Sequence, residues 1–421
     1  MAQVSNVVEA LKYTYGVDRV LYLFNEESVV YNLLSRVKKP VGGRTNQFIM
    51  PILVQNPGAF TGIAEGGSLP SALQPDTTEA YFSLQEYVGL YDVTWKLIQD
   101  ARSNKFAFQQ AIQMLDEGLK RRIMRNLNSD FIDDGRGRLG VLPAADNDTT
   151  VTLNALPRME TGMVLDLMDT DDATKNTDSA TVTGVDPIAR TVTVSVNSGS
   201  TAAGDYFVIQ DTTDSPTCLH TNGLLGIVDS SNPPTVVGNY GNINRSTAGN
   251  EFWSSVELAN SGTNRPLTED LMLQALDGAR EKGSGDIDAW ISNLAIVRRY
   301  HEMLRAESFF ALNSMTPIGG GLGRKDMSAK EDGATPYNFS GVPWHVDPYF
   351  AANTIIGLDT KHFFMGVGEN EVPRPISEIF NNVPFFRQTT SATFEVAWYY
   401  QCEILSDNPA AGVKITDVAE S

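Results

Sequence analysis

The feature that most constrains this chain is a glycine-rich stretch, FTGIAEGGSLPSALQP, which separates two strand-like segments. Residues 45–56 (TNQFIMPILVQN) and 80–95 (AYFSLQEYVGLYDVTW) predict the two arms of a hairpin. Hairpin loops usually need about 2 to 5 residues, and structureless loops beyond about 12 to 15 are uncommon unless they are functional or disordered. The tip is therefore too long for a simple turn, and it contains no obvious catalytic group.

The charge of the chain limits what it can bind. Its 421 residues include 51 acidic and 32 basic side chains, which give a formal net charge of −19. This charge repels phosphate, so it argues against a protein that grips nucleic acid over most of its surface. It also repels other copies of the chain. Any assembly must therefore rest on apolar and shape-matched contacts, and it should depend on salt.

The start of the chain, MAQVSNVVEALKYTYG, lacks the basic and apolar regions of a secretory signal. No apolar run approaches the roughly 20 residues that a membrane span needs. We therefore expect folding in a cytoplasm and no membrane partner.

Helical periodicity is strongest after the hairpin. From about Asn104 to Leu127, apolar residues recur at steps of three or four, which predicts a helix of about seven turns. The outer face of this helix carries four basic residues, Lys120, Arg121, Arg122 and Arg125. We expect a solvated basic face, and the alternative is a docking face for an acidic neighbour.

The other segments predict a mixture of helices and strands. A shorter helix is expected in NEESVVYNLLSR, with Asn25 as its N-cap. Residues 150–215 alternate Val with Thr or Ser and predict a small antiparallel β unit, whereas residues 219–265 predict ordered loops. Regular structure then returns with a helix capped by Thr268. The later segments are a strand in DIDAWISN, a helix in LAIVRRYHEMLRA, and strands in GVPWHVD, TIIGLD, HFFMGVG, SATFEVAWYYQCEIL and GVKITDV.

No catalytic, metal or cofactor site emerges from the sequence. The run IGGGLGRKD (318–326) does not fit the phosphate-binding pattern G-x-x-x-x-G-K-[ST]. The acidic stretch 169–178 lacks the glycine and the glutamate of an EF-hand, although a looser surface cation site stays open. Cys218 and Cys402 are far apart and are expected to be small buried hydrophobes. The histidines lie on separate segments and are expected to be capping or packed residues: His220, His301, His345 and His362.

An ordered set of segments resembles the major capsid proteins of tailed bacteriophages, the family with the Johnson fold. The set consists of IAEGGSLPSA, FSLQEYVGLYDVTWKLIQDA, LNSDFIDDGRGRLGVL, FSGVPWHVDPYF and TIIGLDTKHFFMG, and it covers most of the chain outside residues 150–260. The resemblance implies an α+β Johnson-type capsid fold. Its expected parts are an N-arm (1–40), an extended E-loop hairpin (41–80), a peripheral domain with a spine helix (81–149), a β-rich insertion (150–218), an axial domain (219–375) and a C-terminal return to the peripheral domain (376–421).

The same resemblance implies a structural protein and no enzyme. Copies would form the hexamers and pentamers of an icosahedral shell, which encloses double-stranded DNA in the virion after assembly in the host cytoplasm. Expected partners are a portal and a decoration protein. A separate scaffolding protein is also expected, because some family members carry a scaffolding segment before the N-arm, whereas here the N-arm starts almost at Met1. The candidate contacts between subunits are Gly62, Glu65, Gly66, Gly67 and Leu69 at the hairpin tip, and Lys120, Arg121, Arg122 and Arg125 on the long helix.

Some members of the family link neighbouring subunits covalently through a lysine on the E-loop. No lysine occurs here between Lys39 and Lys96, so we expect a non-covalent contact. Two alternatives stay open. One is a cellular nanocompartment shell of the same fold, which encloses an enzyme. The other is a surface or tail adhesin that binds glycans, suggested by the middle of the chain, which is rich in Thr, Asn and Gly.

Overall fold

A computed structural model provides the fold of the chain. It describes residues 28–38, 47–55, 58, 60–63, 65, 67, 69, 71, 74–94, 105–170, 174–196, 199, 201–210, 219–234, 237–311, 338–368, 374–375, 386–387 and 393–420. No helix in these ranges combines the length and the hydropathy that a membrane span requires.

The described residues form helices and many short strands. The helices are α1 (Val29–Leu33), α2 (Lys105–Ile132), α3 (Leu224–Ile227), α4 (Glu269–Gly283) and α5 (Leu294–Ala311), with 3₁₀ turns at Tyr240–Asn242, Glu251–Trp253 and Pro409–Ala411. The first ten strands are β1 (Ser35–Lys38), β2 (Gln47–Gln55), β3 (Asp76–Ser83), β4 (Gln85–Thr94), β5 (Gly140–Val141), β6 (Thr150–Thr152), β7 (Val164–Met168), β8 (Lys175–Asp186), β9 (Thr191–Val194) and β10 (Tyr206–Ile209). The next ten are β11 (Val256–Leu258), β12 (Ala289–Ser292), β13 (Asn338–Phe339), β14 (Val342–Val346), β15 (Ile355–Leu358), β16 (Phe363–Val367), β17 (Arg374–Pro375), β18 (Phe386–Arg387), β19 (Thr393–Ser406) and β20 (Val413–Ile415).

The first sheet is built around the long strand β19. This strand pairs antiparallel with β4, β16, β17 and β18, and β1 joins the sheet by pairing parallel with β16. The long helix α2 confirms the helix predicted from Asn104, and it packs on β4. A Cβ at Gly89 of β4 would lie only 2.7 Å from Ile123 Cδ1 and 3.0 Å from Leu119 Cδ1, so glycine lets the helix approach the strand closely.

The hairpin is present, and β2 and β3 are its arms. The predicted second arm, 80–95, is wrong in its extent, because it contains the end of β3 and then β4 of the first sheet. The buried side chains explain the break. The buried residues stand at even positions in β3 and at Leu84 after it, whereas the residues of β4 that face α2 are odd-numbered. Since alternate residues of a strand point to opposite faces, one continuous strand could not place both sets in a core.

The helix predicted in NEESVVYNLLSR is also shorter than expected. It is the single turn α1, and Ser28 is its N-cap, since Ser28 Oγ accepts a hydrogen bond from Tyr31 N at 3.3 Å. The chain then enters β1, where Val37 is exposed and does not lie on a helix. Pairing of β1 with β16 overrides the helical pattern here. Asn25 lies outside the described residues.

After the first sheet and the two-stranded hairpin, a third sheet has the strand order β11-β20-β15-β12-β14-β13. Helices α4 and α5 contribute to its core. Thr268 caps α4 as predicted, with Oγ1 accepting from Leu271 N at 3.2 Å. Inside the core, Tyr300 of α5 packs against Trp344 of β14 with ring centroids 5.0 Å apart. The strands predicted in this region, β12 and β14 to β16, are all present.

The insertion forms a separate sheet of order β5-β10-β7-β8-β9-β6 with its own hydrophobic core. Its strands β6 to β10 lie within the β unit predicted over residues 150–215. The sheet begins at Gly140, ahead of the expected start at residue 150. Three TVT triplets place Val151, Val182 and Val192 in the core, because alternate residues of a strand point to opposite faces.

Two strands depart from the predicted domain division. Strand β16 was placed in the axial domain, but it pairs with β19 in the first sheet. Strand β20 was placed in the C-terminal return, but it pairs with β11 and β15 in the third sheet. Sheet membership is set by pairing partners far away in sequence, and the local pattern of each strand does not reveal them. The other domain boundaries stay predictions.

Gly223, the N-cap of α3, packs against the C-terminal end of α2 and gives a testable consequence of this packing. A Cβ at Gly223 would lie 2.1 Å from the carbonyl oxygen of Asp133 and 2.3 Å from that of Asp130. These are backbone atoms, so we expect Gly223→Ala to lower the free energy of unfolding by more than about 2 kcal/mol. The matched control is Gly118 inside α2, where a Cβ meets nothing within 4 Å. Gly118→Ala should raise stability by about 0.5–1 kcal/mol. Thermal unfolding of both variants tests these expectations, since the melting temperature should fall for Gly223→Ala and rise for Gly118→Ala. Equal melting temperatures of the two variants would contradict the packing described.

Candidate assembly interface

The base of the hairpin is anchored in the main core. Phe48 of β2 and Phe82 of β3 face each other across the two strands, and both are buried. The Phe82 ring lies 5.0 Å from the Tyr240 ring and 6.4 Å from the Trp253 ring, measured between centroids. These contacts hold the base whether or not the rest of the hairpin has a partner.

The outer face of the hairpin is apolar and open. Ile49 pairs with Tyr81, and Leu53 lies further along the same face; Ile49 is 53% exposed and Leu53 52% exposed. The other face carries Met50 and Ile52, which pack against the main core. Strands that are apolar on both faces are normally covered on both faces. The outer face therefore has the character of a surface that a partner covers.

The tip carries the predicted contact residues and more apolar surface. Gly62, Glu65, Gly67 and Leu69 are all exposed on the segment between β2 and β3. Gly66 lies outside the described residues. Two further apolar side chains on this segment are exposed, Phe60 completely and Ile63 by about half. A two-stranded hairpin alone is at best marginally stable in water, so this extension gains stability if a partner covers it.

The four basic residues of α2 do not share one environment. Lys120 and Arg122 are exposed, and Arg121 is half-buried. Arg125 forms an ion pair with Glu160 of the insertion, and only 10% of its side chain is exposed. Arg125 therefore already forms a contact within its own subunit, and this contact joins α2 to the insertion. The hairpin tip and this basic group lie on different elements.

Sequence reasoning missed an apolar pair on β4. Val88 and Leu90 are 56% and 57% exposed, on the face of β4 opposite α2. Their cross-strand neighbours on β19 are Tyr399 and Ala397. The signal was available in the sequence, because YVGLYDV places apolar residues at successive positions and so on both faces of a strand. These residues form a second candidate contact surface.

Within the described ranges, no group of three or more Asp, Glu, His or Cys side chains is placed to hold a metal ion. His220 Nδ1 lies 2.9 Å from Asp130 Oδ2, and His362 Nδ1 lies 2.8 Å from Asp407 Oδ1. His345 is partly buried, and this burial lowers its pKa. His301 lies on α5.

One of the two cysteines and part of one of the two suspected loops lie within the described residues. Cys402 is fully buried, as predicted, and burial raises its thiol pKa well above the usual value. Cys218 and the glycine run 318–326 lie outside the described residues. In the acidic stretch, residues 169–170 follow β7 and residues 175–178 lie in β8.

Comparison with known proteins gives a decisive result only for structure. No protein-family model matches the chain, and no curated protein matches its sequence. Among solved structures, the capsid asymmetric unit of Cyanophage A-1(L) is similar over 96% of this chain and 96% of that chain, with a TM-score of 0.55 and 12% identity. The chain has a capsid fold.

Two further structures are similar at lower scores. The capsid of the native GTA particle has a TM-score of 0.47 at 11% identity and covers 96% of this chain and 94% of its own. The holo-SrpI encapsulin complex from Synechococcus elongatus PCC 7942 has a TM-score of 0.46 at 10% identity and covers 98% and 96%. Structural similarity at these scores does not distinguish a particle capsid from an encapsulin shell.

The capsid fold confirms the predicted fold class. The architecture is α+β and Johnson-type, with the spine helix α2 packed on the sheet of β4 and β19 and an extended hairpin rooted in the same core. Within this fold, the hairpin is the described element that combines a firmly buried base with an open apolar face and tip. It is therefore the strongest candidate for a contact between copies.

Proposed function

We propose that this chain is a major capsid protein whose copies assemble into a closed icosahedral shell around a double-stranded DNA genome. The observation that carries the proposal is the extended hairpin. On a chain with a capsid fold, its base is buried where Phe82 packs against Tyr240. Its outer face and tip expose four apolar side chains, Ile49, Leu53, Phe60 and Leu69. The role is structural and needs no catalytic step.

The hairpin supports a specific kind of contact. In a ring of identical chains, one surface of each copy fits a different surface of the next, and such heterologous contacts close into hexamers and pentamers. A stable interface buries roughly 1,200 Å² or more in total. A hairpin that reaches over a neighbour adds area without enlarging the body of the subunit. The exposed pair Val88 and Leu90 offers a second apolar surface for the same shell.

The charge of the chain suits a DNA container. At −19, the wall repels the genome, so the packaged DNA does not adhere to it. The repulsion between copies also means that closure benefits from help. We therefore include a separate scaffolding protein, a portal and a decoration protein among the partners, with assembly in the host cytoplasm and final location in the virion. Contacts between subunits are non-covalent, since the hairpin has no lysine.

The contents of purified particles test what the shell encloses. We expect particles from the native source to hold DNA that resists added nuclease until the shell is opened. An enzyme cargo without DNA would instead identify a nanocompartment. A soluble trimer that binds glycans would support the adhesin alternative.

A further inference from the structure

Three charged side chains meet where the third sheet contacts the loop after α3. Lys414 of β20 lies directly opposite Glu257 of β11 in the parallel pairing of these two strands. Asp229 comes from the loop that follows α3. Lys414 is 7% exposed, and the side chains of both acidic residues are mostly covered as well. The three residues, here called the lysine triad, thus bring one amine and two carboxyl groups together from three separate segments.

The two carboxylates of the lysine triad hold Lys414 from two sides. Lys414 Nζ forms an ion pair with Asp229 Oδ2 and lies 3.3 Å from Glu257 Oε1. A serine holds the far oxygen of each carboxylate. Asp229 Oδ1 accepts hydrogen bonds from the backbone N and from Oγ of Ser231, both at 2.8 Å, and Glu257 Oε2 accepts one from Ser230 Oγ at 2.5 Å. The two oxygens of Asp229 therefore differ, because Oδ1 has two fixed donors and Oδ2 contacts the lysine.

This arrangement matches an amide between Lys414 and Asp229 better than it matches three charges. Covering an ion pair costs solvation free energy, and here a second carboxylate is covered with it. In an amide, Oδ1 would become the carbonyl oxygen and would keep both of its donors from Ser231. The one remaining N–H would donate to Glu257 Oε1. Condensation therefore removes two of the three charges and leaves each polar atom of the product with a partner.

We propose that Lys414 and Asp229 become joined by an isopeptide bond, in a reaction that the lysine triad itself promotes. Glu257 takes one proton from the ammonium group, and the amine then attacks Asp229 Cγ. The charge of the tetrahedral intermediate lies on Oδ1, where the two donors of Ser231 stabilise it.

The reaction needs no other reactant. The bond between Nζ and Cγ forms, and the bond between Cγ and Oδ2 breaks. Oδ2 leaves as water with two protons of the former ammonium group, one of them returned by Glu257. The third proton stays on the amide nitrogen. No atom is oxidised or reduced, and the products are one amide and one water molecule.

The isopeptide bond lies within one subunit and is distinct from the contacts between copies. It would fasten β20 to the loop after α3 and close the chain between two residues that are 185 positions apart. A cross-link over such a long loop restricts the unfolded chain and so stabilises the folded one. This inference concerns the folded subunit, so its test does not depend on whether the chain forms shells.

The mass of the denatured full-length protein tests the bond. We expect the measured mass to lie about 18 Da below the mass calculated for the chain, because one water molecule is lost. Proteolytic digestion should give a branched peptide that contains both Lys414 and Asp229. Lys414→Arg keeps the positive charge, but a guanidinium stays protonated and cannot attack, so this variant should show its full calculated mass.

Glu257→Gln tests whether the triad promotes the reaction. Glutamine has a similar size but cannot take up and return the proton, so we expect at least tenfold less of the bonded form in the same time. The matched control is Glu281→Gln, a change at an exposed residue of α4, and it should behave like the wild type.

A wild-type protein with its full calculated mass would overturn the proposal. The same holds if Glu257→Gln formed the bond as completely as the wild type, or if the branched peptide joined other residues. The wild-type mass and the wild-type digest decide the question even if a variant fails to fold.

Discussion

We expect deletion of Gly62 to Ala72 to prevent shell formation and to leave the shortened chain able to fold. The deletion removes exposed tip residues, including Leu69, and leaves Phe48 and Phe82 buried at the base. Because the described residues of the tip are exposed on their own subunit, we expect the deletion to weaken contacts between copies. Circular dichroism should therefore match that of the wild type, while electron microscopy should show no closed particles.

Point variants give this prediction a matched control. Leu69→Asp places a charge at the tip, where the leucine is 82% exposed, and we expect it to reduce shell yield at least tenfold. Ile188→Asp makes the same kind of change on the insertion, at an isoleucine that is 95% exposed, and it should leave the yield within about twofold. Intact shells from the tip deletion would refute the role given to the hairpin.

The second large effect is on stability, and it is expected at the hairpin base. Phe82→Ala removes a buried ring that packs against Tyr240 and Trp253, so it leaves a cavity in the main core. Such changes cost about 3–5 kcal/mol, which should appear as a clear drop in melting temperature. The variant should also lose shells, since a loosened base cannot hold the hairpin in position.

The adjacent residue provides the control for this effect. Tyr81 lies on the other face of the same strand and is 38% exposed. Tyr81→Ala should change the free energy of unfolding by no more than about 1 kcal/mol, while it weakens assembly through the outer face. If Tyr81→Ala lowered the melting temperature as much as Phe82→Ala, the assignment of inner and outer faces would be wrong.

The hairpin and the long helix could be predicted because their signals are local. The apolar run in TNQFIMPILVQN and the helical stripe that ends at Leu127 each lie within one element. The break between β3 and β4 at Leu84 was harder to predict from the sequence, since it depends on which sheet each strand joins. The same holds for β16 and β20, whose partners on β19 and β15 are distant in sequence.

The candidate contact residues show the same limit. The sequence places Arg125 among the basic residues of α2, but its partner Glu160 lies 35 positions away on the insertion. Only the folded chain reveals that this arginine is paired. By contrast, the sequence QFIMPILVQ already indicates a strand that is apolar on both faces, because apolar residues stand at successive positions. The structure then shows which of them, Ile49 and Leu53, are exposed.

Electron microscopy of the purified full-length chain, alone and co-expressed with a scaffolding protein encoded beside it, tests the central claim most directly. We expect closed particles of uniform size, with subunits arranged in hexamers and pentamers and with each hairpin lying on a neighbouring copy. Uniform small oligomers, with no shells under any of these conditions, would contradict it.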